Sequence, residues 1–67
     1  MYLSETFRGR EGIVRGVKAL TSLVIPPAEA DLARADRLEV WCDGDYTELR
    51  LVDVEGQVIK AHRIERL

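Results

Sequence analysis

The side chains that could do nucleophilic or metal chemistry are few in this sequence. Cys42 is its only cysteine and His62 its only histidine. A nucleophilic thiol needs a nearby base, and a structural zinc site usually has four ligands, so neither chemistry has a full set of residues. Cys42 ends an alternating segment on its apolar side, which favours a buried, inert thiol, whereas His62 is expected on the surface of an edge strand. We therefore predict no catalytic residue, no metal ligand and no bound cofactor.

The acidic residues beside the turns form a second group with possible chemistry. Asp43, Asp45 and Asp53 flank or adjoin segments that contain glycine. Aspartate stabilises turns by accepting hydrogen bonds from its own backbone. The segment Asp43-Gly44-Asp45 is not followed by the later ligands that a calcium loop requires. No glycine-rich phosphate loop is present. These acids are therefore interpreted as turn residues, and the protein as a binding protein rather than an enzyme.

Two aromatic residues are candidates for contact with a partner. Trp41 and Tyr46 flank the turn at residues 43–45, and Trp41 points away from the apolar side of its segment. Trp41 is expected to pack under a short helix, in a dimer interface or on a partner-binding surface. If it is exposed, it is the kind of residue that dominates interface energetics.

The rest of the chain must position these side chains, and its pattern predicts a mostly β fold with a minor α component. Pro26 and Pro27 end one strand, and early acids with a late Arg34 predict one short helix near residues 27–35. We expect a small antiparallel sheet or barrel of five to six short strands, in which residues 38–64 form a three-stranded meander. β-branched residues and alternation predict strands at residues 2–7, 13–18, 22–25, 38–42, 47–52 and 57–64, and residues 9–12 read as a turn.

The length of the chain predicts one domain over residues 1–67. A chain of 67 residues buries only about 60% of its unfolded surface. Small domains often rely on a disulfide, a metal or a second subunit for stability. With only one cysteine, this chain cannot form a disulfide within itself. We therefore expect a homodimer. The sequence shows no export signal and no apolar run long enough for a membrane, which predicts a cytoplasmic protein with no membrane contact, and its composition suggests a bacterial origin.

The charge is unevenly distributed although the net value is only −2. Residues 1–20 carry four arginine or lysine residues against two acids, whereas residues 28–56 carry three against nine. This pattern is typical of ordinary solvated charge, but it also allows a local basic face near the N-terminus that contacts phosphate.

One segment resembles a known family. Residues 12–26 read Gly-Ile-Val-Arg-Gly-Val-Lys-Ala-Leu-Thr-Ser-Leu-Val-Ile-Pro. This is similar to the start of the AbrB-like (SpoVT-AbrB) swapped-hairpin domain, in which a strand of this type precedes Val-Ile-Pro and a short helix. The similarity extends to about residue 52. Thr21 and Ser22 stand where the family has Gly-Arg, the stretch around the helix is shorter, and residues 53–67 add a strand.

The resemblance implies an intertwined dimer that binds DNA as a bacterial transcription regulator or antitoxin. Basic residues of the N-terminal strands make the DNA contacts in that family. Carried over to this chain, these are Arg15 and Lys18, with Arg8 and Arg10 as neighbours outside the motif.

A second hypothesis is a small SH3-like β-barrel adaptor or inhibitor that binds another protein. Exposed edge strands would pair with a strand of the partner, and Trp41 or Tyr46 would anchor it. RNA binding is less favoured, because the chain has only four aromatic side chains on which bases could stack.

Overall fold

The computed structural model describes residues 1–20 and 27–65. Four strands and two helices lie in these two ranges, and the strands make one antiparallel sheet in the order β1-β2-β3-β4. The elements are β1 (Tyr2–Arg8), α1 (Gly9–Leu20), α2 (Glu29–Arg34), β2 (Ala35–Cys42), β3 (Tyr46–Asp53) and β4 (Val58–Glu65).

The meander predicted at residues 38–64 is confirmed. β2 pairs with β3 and β3 with β4, each in antiparallel register, and the predicted first strand forms as β1 against the other side of β2. β1 and β4 are the edges of this sheet, so the described residues form an open sheet of four strands rather than a barrel of five to six. The strand predicted at residues 22–25 lies outside the described residues.

The strand predicted at residues 13–18 and the turn predicted at residues 9–12 are wrong, because both segments belong to helix α1. β-branched residues suggested a strand, but Ile13 and Val17 also lie one helical turn apart. Both are buried, whereas the charged side chains Glu11, Arg15 and Lys18 are exposed on the other side of the helix. The helix therefore satisfies an amphipathic pattern that a strand at this position would break.

Strand β1 passes into helix α1 with no loop between them. Gly9 makes this possible because it adopts a φ of 75°, a backbone angle that residues with a Cβ atom resist. The change of direction brings α1 back across β1 and β2, on which it packs.

The core lies between α1, α2 and one face of the sheet. The helix predicted near residues 27–35 is confirmed as α2, and it contributes the buried Leu32. The sheet contributes alternate residues of β2 and β3, as its register requires. The main cluster consists of Ile13, Val17, Leu32, Leu38, Val40, Cys42, Leu49 and Leu51. Within the described ranges, no helix combines the length and the apolar character that crossing a bilayer requires.

Candidate functional site

The face of the sheet opposite the core is named here the open face. Trp41 on β2 is paired with Leu3 on β1 and with Glu48 on β3, and Glu48 is paired with Arg63 on β4. Paired residues of an antiparallel sheet point to the same side, and the neighbours of Trp41 along β2 point into the core. Trp41 therefore packs under neither of the two described helices, although a position under a helix was one of the places expected for it. The open face comprises Leu3, Thr6, Arg8, Arg37, Glu39, Trp41, Tyr46, Glu48, Arg50, Val52, Val58, Ala61, Arg63 and Glu65.

Glu39 is the centre of a polar network on the open face. One of its carboxylate oxygens accepts a hydrogen bond from Arg37 Nε at 2.8 Å, and the other accepts one from the indole N–H of Trp41 at 3.0 Å. Arg37 also donates to Asp36 at 2.9 Å. Glu39 is only 15% exposed as a side chain, although neither helix lies over it. The side chains of Arg37 and Trp41, which bond to Glu39, therefore shield it from solvent.

The hydrogen bonds reinforce the charged states of Glu39 and Arg37 in this network. The bond from Arg37, followed by the bond from Trp41, holds the pKa of Glu39 below its ordinary value against the opposing effect of burial. The bonds to Glu39 and then to Asp36 raise the pKa of Arg37. Both groups are therefore charged at neutral pH, and the indole ring of Trp41 is fixed in orientation by a charged acceptor.

Each aromatic ring of the open face lies beneath an arginine. The guanidinium carbon of Arg50 is 4.8 Å from the centre of the Trp41 ring, and that of Arg63 is 4.0 Å from the centre of the Tyr46 ring. Cation–π contacts of this kind contribute about 0.5–1 kcal/mol at exposed sites. Arg50 also donates to Glu48 at 3.0 Å, which holds it over the ring. The two aromatic residues predicted to bind a partner therefore lie on one surface in fixed positions.

The charges of the open face are balanced. Its cationic side chains are Arg8, Arg37, Arg50 and Arg63, and its acids, with Asp36 at the border, are Asp36, Glu39, Glu48 and Glu65. A nucleic-acid platform needs an excess of positive charge to displace counterions. The balance therefore favours contact with protein over contact with phosphate at this surface.

The four residues predicted to bind DNA are not brought together in one basic patch. Arg10 forms a two-oxygen ion pair with Glu29 at 2.6 Å, and this contact raises its pKa. Arg8, at the end of β1, forms an ion pair with Asp36 on β2, with 3.5 Å between Nη1 and Oδ2. Arg15 and Lys18 are exposed on α1, three residues apart and thus on one side of the helix.

The residues with possible nucleophilic or metal chemistry are separated. Cys42 is buried on β2 and His62 is exposed on β4, and these two strands are about 10 Å apart. Asp43 accepts a hydrogen bond from the N–H of Gly44, and Asp53 accepts from the backbone of Glu55 and Gln57. Asp43 and Asp53 therefore cap turns. Over residues 1–20 and 27–65, no three metal-ligating side chains cluster.

The comparisons with known proteins assign neither a family nor a function to this chain. Neither protein-family models, nor curated proteins, nor solved structures match this chain. The strand that the AbrB-like resemblance implies at residues 13–18 is helical here.

Two features of this surface were missed by the sequence reasoning. The Arg37–Glu39–Trp41 network and the Arg50–Glu48 pair join residues two positions apart on one strand. That spacing puts both side chains on the same face of a strand, so the alternation already noted at residues 38–52 was the available signal.

Proposed function

We propose that the protein is a non-enzymatic protein-binding module that acts as a homodimer, and that the open face is its dimer interface. The observation that carries this proposal is the pair of rings, Trp41 and Tyr46, each held under an arginine on a face that neither described helix covers. Tryptophan, tyrosine and arginine are the residue types most enriched among interface hot spots.

The balance of charge favours a second copy of the chain as the occupant of the open face. Two identical faces repel each other when they carry a net charge. This face carries four arginines against three acids, and Asp36 at its border, which contacts Arg8 and Arg37, makes the numbers equal. Arg37 and Arg50 already form ion pairs with Glu39 and Glu48. These four side chains therefore remain paired when dimer formation removes water from the open face. A two-fold pairing of the open face therefore leaves few charges without a partner.

The area of the open face predicts a modest affinity. Four strands about 4.8 Å apart and about 27 Å long give a footprint of roughly 500 Å² on each copy. The total of roughly 1,000 Å² lies at the lower limit for a specific interface. We therefore expect a dimer that dissociates in the micromolar range.

Sedimentation velocity at protein concentrations from about 1 μM to about 1 mM tests the proposal, because that range brackets the affinity of a small interface. The molar mass is expected to rise from 7.6 kDa to twice that value. Trp41→Ser should weaken the dimer by about tenfold or more, as truncation of a central aromatic anchor does.

Tyr2→Ser is the matched control for Trp41→Ser. Tyr2 is also an exposed aromatic residue of the sheet, but it is paired with Cys42 and so lies on the core side. The dimer should be unchanged in this variant. A 7.6 kDa species at every concentration, or equal weakening by both substitutions, would contradict the proposal.

A second candidate function is DNA binding, as a regulator or antitoxin, through α1. It is favoured by the exposed positions of Arg15 and Lys18 on one side of that helix. Because α1 packs on the core side of the sheet, a dimer formed through the open face places its two α1 helices on opposite outer sides. Each helix would then contact a DNA duplex separately.

A salt titration with a mixed-sequence duplex tests this second candidate. Contacts from Arg15 and Lys18 to phosphate predict an affinity that falls with salt, and a shallower salt dependence in the double variant Arg15→Ala, Lys18→Ala. Arg34→Ala removes an exposed arginine from α2 and serves as the control. An affinity unchanged by the double substitution would rule the candidate out.

A further inference from the structure

Strand β4 presents an unpaired edge. Over the described residues, β3 is its partner on one side and no strand pairs with its other side. Residues 60–65 keep an unbroken register with β3, whereas the pairing of β1, the opposite edge, is interrupted between Leu3 and Glu5. A long regular edge offers a row of free N–H and C=O groups on which a further strand can form.

The β4 edge is basic although the chain as a whole is acidic. Lys60 and Arg63 carry positive charge against one acid, Glu65, and His62 adds a further N–H group. Lys60 and His62 point to one side of the sheet and Arg63 to the other. An incoming strand therefore meets Lys60 and His62 on one of its faces, whereas the Arg63 guanidinium on the other side lies over Tyr46 of β3. Lys60 and His62 are exposed, so they are accessible to a ligand.

We propose that the β4 edge binds an extended acidic segment of another protein by strand addition. The backbone of β4 would supply the hydrogen bonds, and carboxylates at alternate positions of the segment would face Lys60 and His62. This inference rests on the proposed function as a protein-binding module, but it does not depend on the dimer interface, which lies on the open face.

A second copy of β4 is a poor occupant of this edge. Antiparallel pairing of two β4 strands sets the Lys60 and Arg63 side chains of both copies against only one glutamate from each. Like charges across neighbouring strands are destabilising. The same positive charge attracts an acidic strand and discourages pairing of the edge with itself.

Titration with synthetic peptides tests the proposal. A short peptide that alternates glutamate with valine should bind at least about tenfold more tightly than one that alternates lysine with valine. The same acidic peptide with a central proline should bind weakly, because proline cannot donate to the ladder. Backbone amide NMR shifts should map the acidic peptide to residues 60–65. Equal binding of the acidic and lysine peptides, or full binding of the proline peptide, would overturn strand addition at this edge.

Lys60→Glu should reduce the affinity for the acidic peptide by about tenfold or more. Arg34→Glu makes the same change of charge on α2, away from the edge, and should have little effect. Sedimentation of the wild-type protein reports the dimer separately. A dimer with no peptide binding overturns only the edge proposal, whereas peptide binding by a monomer overturns only the dimer proposal.

Discussion

Gly16 on α1 lies directly against the ring of Phe7 on β1. A Cβ atom at Gly16 would stand 2.7 Å from two ring carbons of Phe7, closer than real side chains approach. One of these carbons is Cγ, the ring atom nearest the backbone. A shift of the far end of the ring therefore cannot relieve the clash. This contact fixes how closely the helix approaches the sheet.

We therefore expect Gly16→Ala to destabilise the protein. Alanine gains about 1 kcal/mol of helix propensity over glycine, but overpacking costs about 1–3 kcal/mol, so the net loss is on the order of 1 kcal/mol. Gly12→Ala is the control, because its Cβ would meet Phe7 at an ordinary 3.6 Å and the same helix would gain stability. Urea unfolding measures both. A stabilised Gly16→Ala variant would contradict the close contact.

Glu39 should make stability depend on pH in the acid range. Its pKa is lowered in the folded state by Arg37 and Trp41. The stabilisation is therefore complete above the ordinary glutamate pKa of about 4.3 and is lost as the pH falls through the lower folded-state value. Glu39→Gln should flatten this acid loss, whereas Glu55→Gln in an exposed turn should not. Urea midpoints measured between about pH 6 and pH 2.5 report this loss of stability. Parallel plots of midpoint against pH for the wild type and Glu39→Gln would refute the role of Glu39.

The turn between β3 and β4 depends on glycine at position 56. Gly56 has a φ of 86°, and an alanine there should cost about 1 kcal/mol. Gly44, in the turn between β2 and β3, has an ordinary φ and open space around it, so Gly44→Ala should change stability by less than about 0.5 kcal/mol. Thermal melting at one protein concentration compares the two. Equal effects would show that the backbone angle is not the cause.

The thiol of Cys42 should be unreactive in the folded protein. Cys42 is 8% exposed and lies in the core cluster. Modification by a thiol reagent should therefore be slow in buffer and complete after denaturant is added, because a buried cysteine behaves as a small apolar residue. Rapid modification of the native protein would place the thiol on the surface.

The strands were predictable where one side of each strand is buried. Alternation at Leu38, Val40, Leu49 and Leu51 gave the meander, and the prolines with Arg34 gave the short helix α2. The helix α1 was missed because Ile13, Val14 and Val17 favour strands by residue type. Their spacing, with charged residues on the other side, is helical, and the helix buries Ile13 and Val17 in the core with Gly16 against Phe7.

The candidate site was predictable only in part. The alternation placed Trp41 away from the core side of β2, and the turn placed Tyr46 near it. The arginines that stack on both rings come from β3 and β4, and which arginine meets which ring depends on strand register. Register is a property of the assembled sheet, so the stacking of Arg50 on Trp41 and of Arg63 on Tyr46 had no signal in the sequence.

Quenching of Trp41 fluorescence by acrylamide is the most direct test of the open face as the dimer interface. Trp41 is the only tryptophan, so the signal reports this face alone. Trp41 is half-buried, so we expect it to be partly quenched in dilute solution and to become protected as the protein concentration rises through the range in which the mass doubles. Quenching that stays the same at every concentration, while sedimentation shows a dimer, would place the interface elsewhere and contradict the account.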